Sequence, residues 1–128
     1  MAVEALQKND MMAHLMGALD KKKDIGHYGR LVFAMVGRHF MDEEELVGYL
    51  RKNPDFDEVK ARALVQQVQQ RDYNPPKRER ILEWQAQQDF PICPDGNDPD
   101  ACNVYRNLKF PDGVYEHIQE YHEQKAQG

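Results

Sequence analysis

The sequence predicts an all-α protein, folded as a compact bundle of about six helices with one proline-rich loop that contains both cysteines. Along most of the chain, apolar residues recur at intervals of three or four, the period of a helix with one buried face. Prolines, a polar break and capping residues interrupt this period and divide the chain into short helices. We expect residues 1–128 to form a single domain, because this length supports one modest core.

The first two helices are predicted from their apolar residues. Residues 2–19 carry apolar side chains from Val3 to Leu19 at helical spacing, and a polar break over residues 21–26 follows. Residues 27–40 contain the run 31–36, which is apolar on all sides, so we expect this helix at the centre of the core. A strand is the alternative there, because short apolar runs fit either structure.

The other helices are predicted over residues 43–52, 58–71, 76–88 and 112–125. Asp42, with Glu45 three residues later, and Asp57 have side chains that cap helix N-termini, so they mark the first two starts. Pro75 and Pro76 mark the third start, because proline is tolerated in a first turn. The predicted core contains Leu31, Val32, Met35, Leu46, Leu50, Leu64, Val68, Ile81 and Trp84.

Composition limits the functional classes. Lys and Arg number 17 and Asp and Glu 22, and the net charge of −5 argues against strong non-specific binding to duplex DNA. The absence of an apolar run of about 18 residues and of a signal-peptide core predicts a cytoplasmic protein that does not span a membrane. The sequence contains no serine or threonine, no phosphate-binding glycine loop and no HExxH motif. We therefore expect no self-sufficient catalytic site.

Three cationic side chains are expected along the helix over residues 27–40. Because 11 residues make about three helical turns, His27 and Arg38 nearly eclipse, and Arg30 lies one turn along on a neighbouring line. Such a stripe is about 16 Å long and matches a few nucleotides of backbone. In the alternative interpretation, the arginines pair with nearby acids such as Asp24 and Glu43, and both interpretations stay open.

Three further cations begin the helix over residues 76–88 and extend the predicted nucleic-acid-binding patch. They are Lys77, Arg78 and Arg80. A helix N-terminus also favours phosphate through its dipole.

The cysteines form the second candidate site. Cys93 and Cys102 lie nine positions apart in a loop over residues 89–103 that is rich in proline. Two thiolates at this spacing are candidate metal ligands, but a metal site needs two more ligands. The alternative, which we favour, is that both thiols are buried and help to pack the loop.

Several segments follow one another through the middle of the chain: His27-Tyr28-Gly29-Arg30-Leu31-Val32-Phe33, Asp42-Glu43-Glu44-Glu45-Leu46, Asn53-Pro54-Asp55-Phe56-Asp57, Asp72-Tyr73-Asn74-Pro75-Pro76, Cys93, Cys102 and Phe110-Pro111. In this order they resemble the C-terminal iron–sulfur domain of the archaeal and eukaryotic primase large subunit, over about residues 25–111. The resemblance rests on order and spacing. It implies a helical domain in which His27 and Arg30 match the nucleic-acid-binding face.

The chain departs from that family at the iron–sulfur ligands. The family's cluster needs four cysteines, of which Cys93 and Cys102 match, while Lys77 or Arg78 stands where another is expected. The first expected cysteine is also missing, since residues 23–25 are Lys-Asp-Ile. The family's tyrosine and histidine on the long helix are Ala63 and Gln67 here. We therefore expect a degenerate relative without a 4Fe–4S cluster or another cofactor.

Together these observations predict a non-catalytic accessory or binding module that holds nucleic-acid or nucleotide phosphates within a primase-like replication assembly. We expect a protein partner and weak binding of single-stranded nucleic acid. The alternative is a protein–protein interaction or assembly factor without a nucleic-acid role, which fits the acidic balance and the methionines of the first helix. A continuous positive groove over residues 27–38 favours nucleic acid, whereas arginines paired with carboxylates favour assembly. A small metal-binding protein is a third alternative.

Overall fold

The computed structural model describes residues 2–94, 97–111 and 114. Within these residues the secondary structure is helical, without a strand, which confirms the all-α prediction. The helices are α1 (Ala2–Gln7), α2 (Asp10–Asp20), α3 (Gly26–Gly37), α4 (Glu43–Leu50), α5 (Glu58–Gln70), α6 (Arg78–Gln85) and α7 (Val104–Asn107), with a 3₁₀ turn at Pro99–Cys102. None of the described helices has the length and apolar character needed to cross a membrane.

The N-terminal segment forms two helices, so the prediction of one helix over residues 2–19 is wrong. Asn9 separates α1 from α2, and its side-chain oxygen accepts a hydrogen bond from the Met12 N–H at 3.0 Å. The Asn9 side chain is also buried, at 1 % exposure. A buried cap of this kind satisfies an amide that a new helix leaves unpaired, and it therefore fixes where α2 begins.

Helix α3 lies at the centre of the bundle, as predicted, and contacts α2, α4, α5 and α6. Val32, Phe33 and Val36 are fully buried. The strand alternative for this run is wrong, because the α3 backbone is helical throughout. Of the predicted core residues, Leu31, Leu64 and Trp84 are only partly buried and pack against the core, and the others are buried.

The predicted caps of α4 and α5 are confirmed. The Asp42 carboxylate accepts from the Glu45 N–H at 2.8 Å, and the Glu45 carboxylate accepts from the Asp42 N–H at 3.3 Å. The Asp57 carboxylate accepts from the Lys60 N–H at 2.9 Å. Each cap satisfies amides that the first helical turn leaves without a partner.

The C-terminal part differs from the prediction in detail. Helix α6 begins at Arg78, two residues later than expected, because Pro75 and Pro76 are buried in an extended segment before it. The proline-rich loop contains the 3₁₀ turn, and the short helix α7 that follows it is not predicted from the sequence. The helix predicted over residues 112–125 falls, apart from residue 114, outside the described residues.

Candidate functional site

Arg30, one of the predicted nucleic-acid-binding residues, lies between a carboxylate and an aromatic ring. Its Nη1 donates to Asp24 Oδ1 at 3.1 Å, and its guanidinium lies 4.6 Å from the centroid of the Phe56 ring. The Gly26 N–H and the Arg30 guanidinium both hold the pKa of Asp24 below its usual value. His27, one turn before Arg30, is exposed and meets the Tyr28 ring edge to face. Arg30 therefore pairs with Asp24, as the second interpretation of the stripe expects.

Arg38, at the other end of α3, contacts different groups. Its Nη2 donates to Asp72 Oδ1 at 2.8 Å and to the Tyr73 carbonyl oxygen at 3.0 Å, and its side chain is 12 % exposed. The carboxylate is not that of Glu43, which lies 3.9 Å from Arg62 instead. The two α3 arginines are thus ion-paired at separate places, on opposite ends of the helix.

The cations at the start of α6 are also close to carboxylates. Arg78 contacts the carboxylates of both Glu79 and Asp100. Arg80 lies 3.6 Å from Glu83, and both side chains are more than half exposed. An exposed pair of this kind is worth no more than about 1 kcal/mol, so Arg80 can exchange its partner readily.

An open depression beside α3, which we call the aromatic groove, brings two of the predicted cations together with aromatic side chains. Its volume is about 830 Å³. Aromatic side chains of the segment before α6, of α6 itself and of α7 line it: Tyr73, Trp84 and Tyr105. Lys77 and Arg80 lie in the same lining, with Glu79 and Glu83. Two of the cations predicted from the sequence, Lys77 and Arg80, therefore share this cavity.

The groove's aromatic wall is held in place by contacts with neighbouring elements. Tyr28 of α3 stacks on Trp84, with ring centroids 5.6 Å apart and ring planes 14° apart. The Tyr105 hydroxyl donates to the Pro75 carbonyl oxygen, which ties α7 to the segment before α6. Because these contacts already order the rings, binding to them loses little side-chain entropy.

Gln88 joins the end of α6 to the start of α3. Its carboxamide oxygen accepts from the Tyr28 N–H at 2.9 Å. Its carboxamide nitrogen donates to the carbonyl oxygens of Ile25 and Phe90, each at 2.9 Å. Three hydrogen bonds from one side chain therefore hold the two helices that carry Tyr28 and Trp84.

The cysteines are close together and buried. Cys93 and Cys102 are both reduced, at 5 % and 0 % exposure. Burial and the neighbouring Cys93 raise the pKa of Cys102 to about 12. The thiol, not the thiolate that binds metals, is therefore the stable form at neutral pH.

The described residues do not fit a four-cysteine iron–sulfur cluster. Arg78 stands where the resemblance expects a cysteine. It lies near Cys102, and its positive charge offsets part of the rise in the pKa of that thiol. No group of three or more histidine, cysteine or acidic side chains placed to hold a metal occurs in the part of the chain that the structure describes. Both cysteine side chains are buried in the core, and a role for them in metal binding stays a prediction that the structure does not test.

The comparisons with known proteins add no relative. No family model matches the sequence, and neither the curated proteins nor the solved structures contain a significant match.

The aromatic members of the groove are not among the site residues predicted from the sequence. The apolar spacing of α6 assigns Trp84 to the core, yet this side chain is only partly buried. Tyr73 precedes two prolines, and Tyr105 follows the cysteine loop. For Tyr73 and Trp84, the signal in the sequence is their proximity to two prolines and three cations within residues 73–84. No such signal marks Tyr105.

Proposed function

We propose that this protein is a non-catalytic accessory module that binds single-stranded nucleic acid, with unpaired bases stacked in the aromatic groove. The observation that carries the proposal is a single cavity lined by Tyr73, Trp84 and Tyr105 together with the cations Lys77 and Arg80. Proteins that bind single strands combine aromatic side chains, on which bases stack, with positive charges along the backbone path.

The size and polarity of the groove fit a stacked base. Its volume of about 830 Å³ lies within the range of about 300–1,000 Å³ that is typical of small-ligand sites. Gln67 and Asn74 add carboxamides to the lining, and such groups hydrogen-bond the edges of unpaired bases.

The charge of the groove predicts weak binding. Lys77 and Arg80 are balanced in the lining by Glu79 and Glu83. Electrostatic attraction to the phosphates is therefore small at this site, and stacking supplies most of the affinity. The partner in a primase-like assembly would perform the chemistry, since the chain contains no serine or threonine nucleophile.

Trp84 makes the proposal directly testable, because it is the protein's one tryptophan and lines the groove. We expect its fluorescence to be quenched by a short unlabelled single strand and to saturate with strand concentration. Replacement Tyr105→Leu should weaken binding about tenfold, since base–aromatic stacking is worth about 1–3 kcal/mol per base. Anisotropy of a labelled strand measures the same affinity independently.

A matched control replaces an aromatic side chain outside the groove by leucine. It shows whether the loss of binding is specific to the rings that line the groove. Phe90 is half-buried against His14, at 5.1 Å between ring centroids, and does not line the groove. Phe90→Leu should leave strand binding unchanged. Equal binding by wild type and Tyr105→Leu, or absence of quenching at low salt, would overturn the proposal.

A second candidate function, binding of a partner protein, is favoured by the ion pairs. Arg30, Arg38 and Arg78 each contact a carboxylate, which is the arrangement expected of an assembly factor. Aromatic-lined grooves also bind proline-rich peptides in an extended conformation. Quenching of Trp84 by a proline-rich peptide, but not by a single strand, would establish this candidate instead.

A further inference from the structure

A second depression, which we call the basic cleft, collects cations that sequence reasoning does not single out. It lies where the turn between α2 and α3 meets the end of α4 and the start of α5, and its volume is about 740 Å³. The cationic part of its lining consists of Lys22, Arg51, Lys52 and Lys60.

Most of these cations, unlike Arg30, Arg38 and Arg78, do not pair with a carboxylate of a described residue. Lys22 and Arg51 are exposed, and neither forms an ion pair with another described residue. Lys60 donates through its ammonium group to the Asp55 carbonyl oxygen at 3.2 Å, which leaves its charge uncompensated. Lys52 pairs with Asp20 at 2.6 Å and is the exception. Three of the four charges in the cleft thus lack a carboxylate partner among the described residues.

The acids in the cleft do not cancel this charge. Asp55 and Asp57 are in the lining, so four cations face two carboxylates there and leave an excess of two positive charges, or of one when Asp20, the partner of Lys52, is counted. The Asp57 carboxylate is already engaged, because it caps α5. In a chain with a net charge of −5, this is a local reversal of sign that attracts anions.

The cleft continues towards Arg30 of α3. Phe56 lines the cleft, and the Arg30 guanidinium lies 4.6 Å from the centroid of its ring. Below the surface, Asn53 fixes the two turns that form the cleft: its side-chain oxygen accepts from the Ile25 N–H at 2.9 Å, and its side chain is 2 % exposed. A buried hydrogen bond therefore holds together the two backbone segments that form the cleft.

We propose that the basic cleft is a phosphate-binding site, with Arg51 and Lys22 as its principal ligands and Lys60 as a third. A guanidinium binds two phosphate oxygens at once, and an ammonium group binds as a point charge. The phosphate comes from a nucleic-acid strand or from a free nucleotide, which present the same chemistry. The site is separate from the aromatic groove and does not depend on base stacking there.

Binding is measured by calorimetry with pyrophosphate, adenosine triphosphate, and one single strand prepared with and without a 5′-phosphate. The variant Lys22→Glu/Arg51→Glu should lose at least about tenfold in affinity for each phosphate ligand, because each substitution replaces attraction by repulsion. Lys8→Glu/Lys109→Glu makes the same change of charge at two exposed lysines outside the cleft and should bind as the wild type does. Circular dichroism and thermal unfolding establish that both variants fold.

The outcomes separate this site from the aromatic groove. The phosphate-site proposal would be overturned if the two double variants lost the same affinity for phosphate ligands, or if the wild type did not bind pyrophosphate. This holds even where a single strand still quenches the fluorescence of Trp84. If the wild type binds pyrophosphate but a single strand does not quench Trp84, the proposal of base stacking in the aromatic groove is overturned and the phosphate-site proposal stands. A stronger response to the 5′-phosphorylated strand than to the triphosphate would identify nucleic acid as the source of the phosphate, and the reverse would identify the nucleotide.

Discussion

His39, two residues beyond the end of α3, is a half-buried imidazole in an apolar setting. Its ring meets Phe110 edge to face, with centroids 5.6 Å apart, and its Nε2 is buried without a hydrogen-bond partner among the described residues. Burial and the positive charge of Arg38 lower its pKa to about 4. The folded protein therefore holds His39 neutral at pH values where an unfolded chain protonates it.

This residue should make the protein less stable in mild acid. Between the unfolded pKa of about 6.5 and the folded pKa of about 4, the unfolded state binds the extra proton, so the free energy of unfolding falls as the pH falls. Denaturant unfolding at pH 7.5, 6, 5 and 4.5 measures the effect. His39→Gln, which cannot be protonated, should flatten the curve over this window, and a curve that keeps the wild-type slope would show that other groups cause it.

At the scale of the elements, the junction between α3 and α6 depends on a glycine. Gly26 has φ +80°, a conformation that side chains with a Cβ rarely adopt. A Cβ built on Gly26 would lie 2.4 Å from the carboxamide oxygen of Gln88, the side chain that joins the two helices. Glycine is therefore required here by both backbone conformation and close approach.

Gly26→Ala should destabilise the protein by more than about 1 kcal/mol, since it combines an unfavourable φ with a clash against Gln88. Gly17 is the matched control, because it lies inside α2, and a Cβ added there would have no atom within 4 Å outside its own helix backbone. Gly17→Ala should stabilise the protein by about 0.5–1 kcal/mol through helix propensity. Thermal unfolding of both variants measures the difference, and two shifts of the same sign would contradict this explanation.

The elements also show which parts of the fold are readable in the sequence. The starts of α4 and α5 are predictable because Asp42 and Asp57 act on amides three residues away. The start of α2 is missed, because the apolar residues from Val3 to Leu19 keep a helical spacing on both sides of the polar residues 7–10, so the cap at Asn9 is not recognised. The same kind of spacing assigns Leu64 to the core, but this residue lies at the edge of the buried face of α5 and is only partly buried.

The candidate sites are harder to predict than the helices. Helical spacing predicts the positions of Arg30 and Arg38, and the nearby acid Asp24 is among the partners predicted for the arginines. The partner of Arg38 follows from tertiary packing, because Asp72 is 34 positions away. The basic cleft is likewise formed by residues of three separate elements. Local periodicity carries no information about such contacts, so neither the Arg38–Asp72 pair nor the unpaired cations of the cleft can be read from the sequence.

At the scale of the whole molecule, the two surfaces proposed as binding sites differ in charge. The aromatic groove has balanced charges, and the basic cleft has an excess of two positive charges in its lining. Binding to the groove should therefore change little with ionic strength, whereas binding to the cleft should weaken steeply with added salt. Titrations of both sites at two salt concentrations measure the difference, and equal salt dependence would contradict it. An acidic protein can in this way bind an anion locally without attracting duplex DNA over its whole surface.

The rate at which the buried cysteine pair is alkylated reports on motions that precede unfolding. Cys93 and Cys102 belong to the segment after α6, and a thiol reagent reaches them only when that segment opens. If the segment opens separately from the bundle, both thiols should be alkylated faster than global unfolding allows, at a rate that low denaturant concentrations hardly change. Mass spectrometry of timed samples measures this rate. Labelling that instead follows the global unfolding free energy would make the whole chain one cooperative unit.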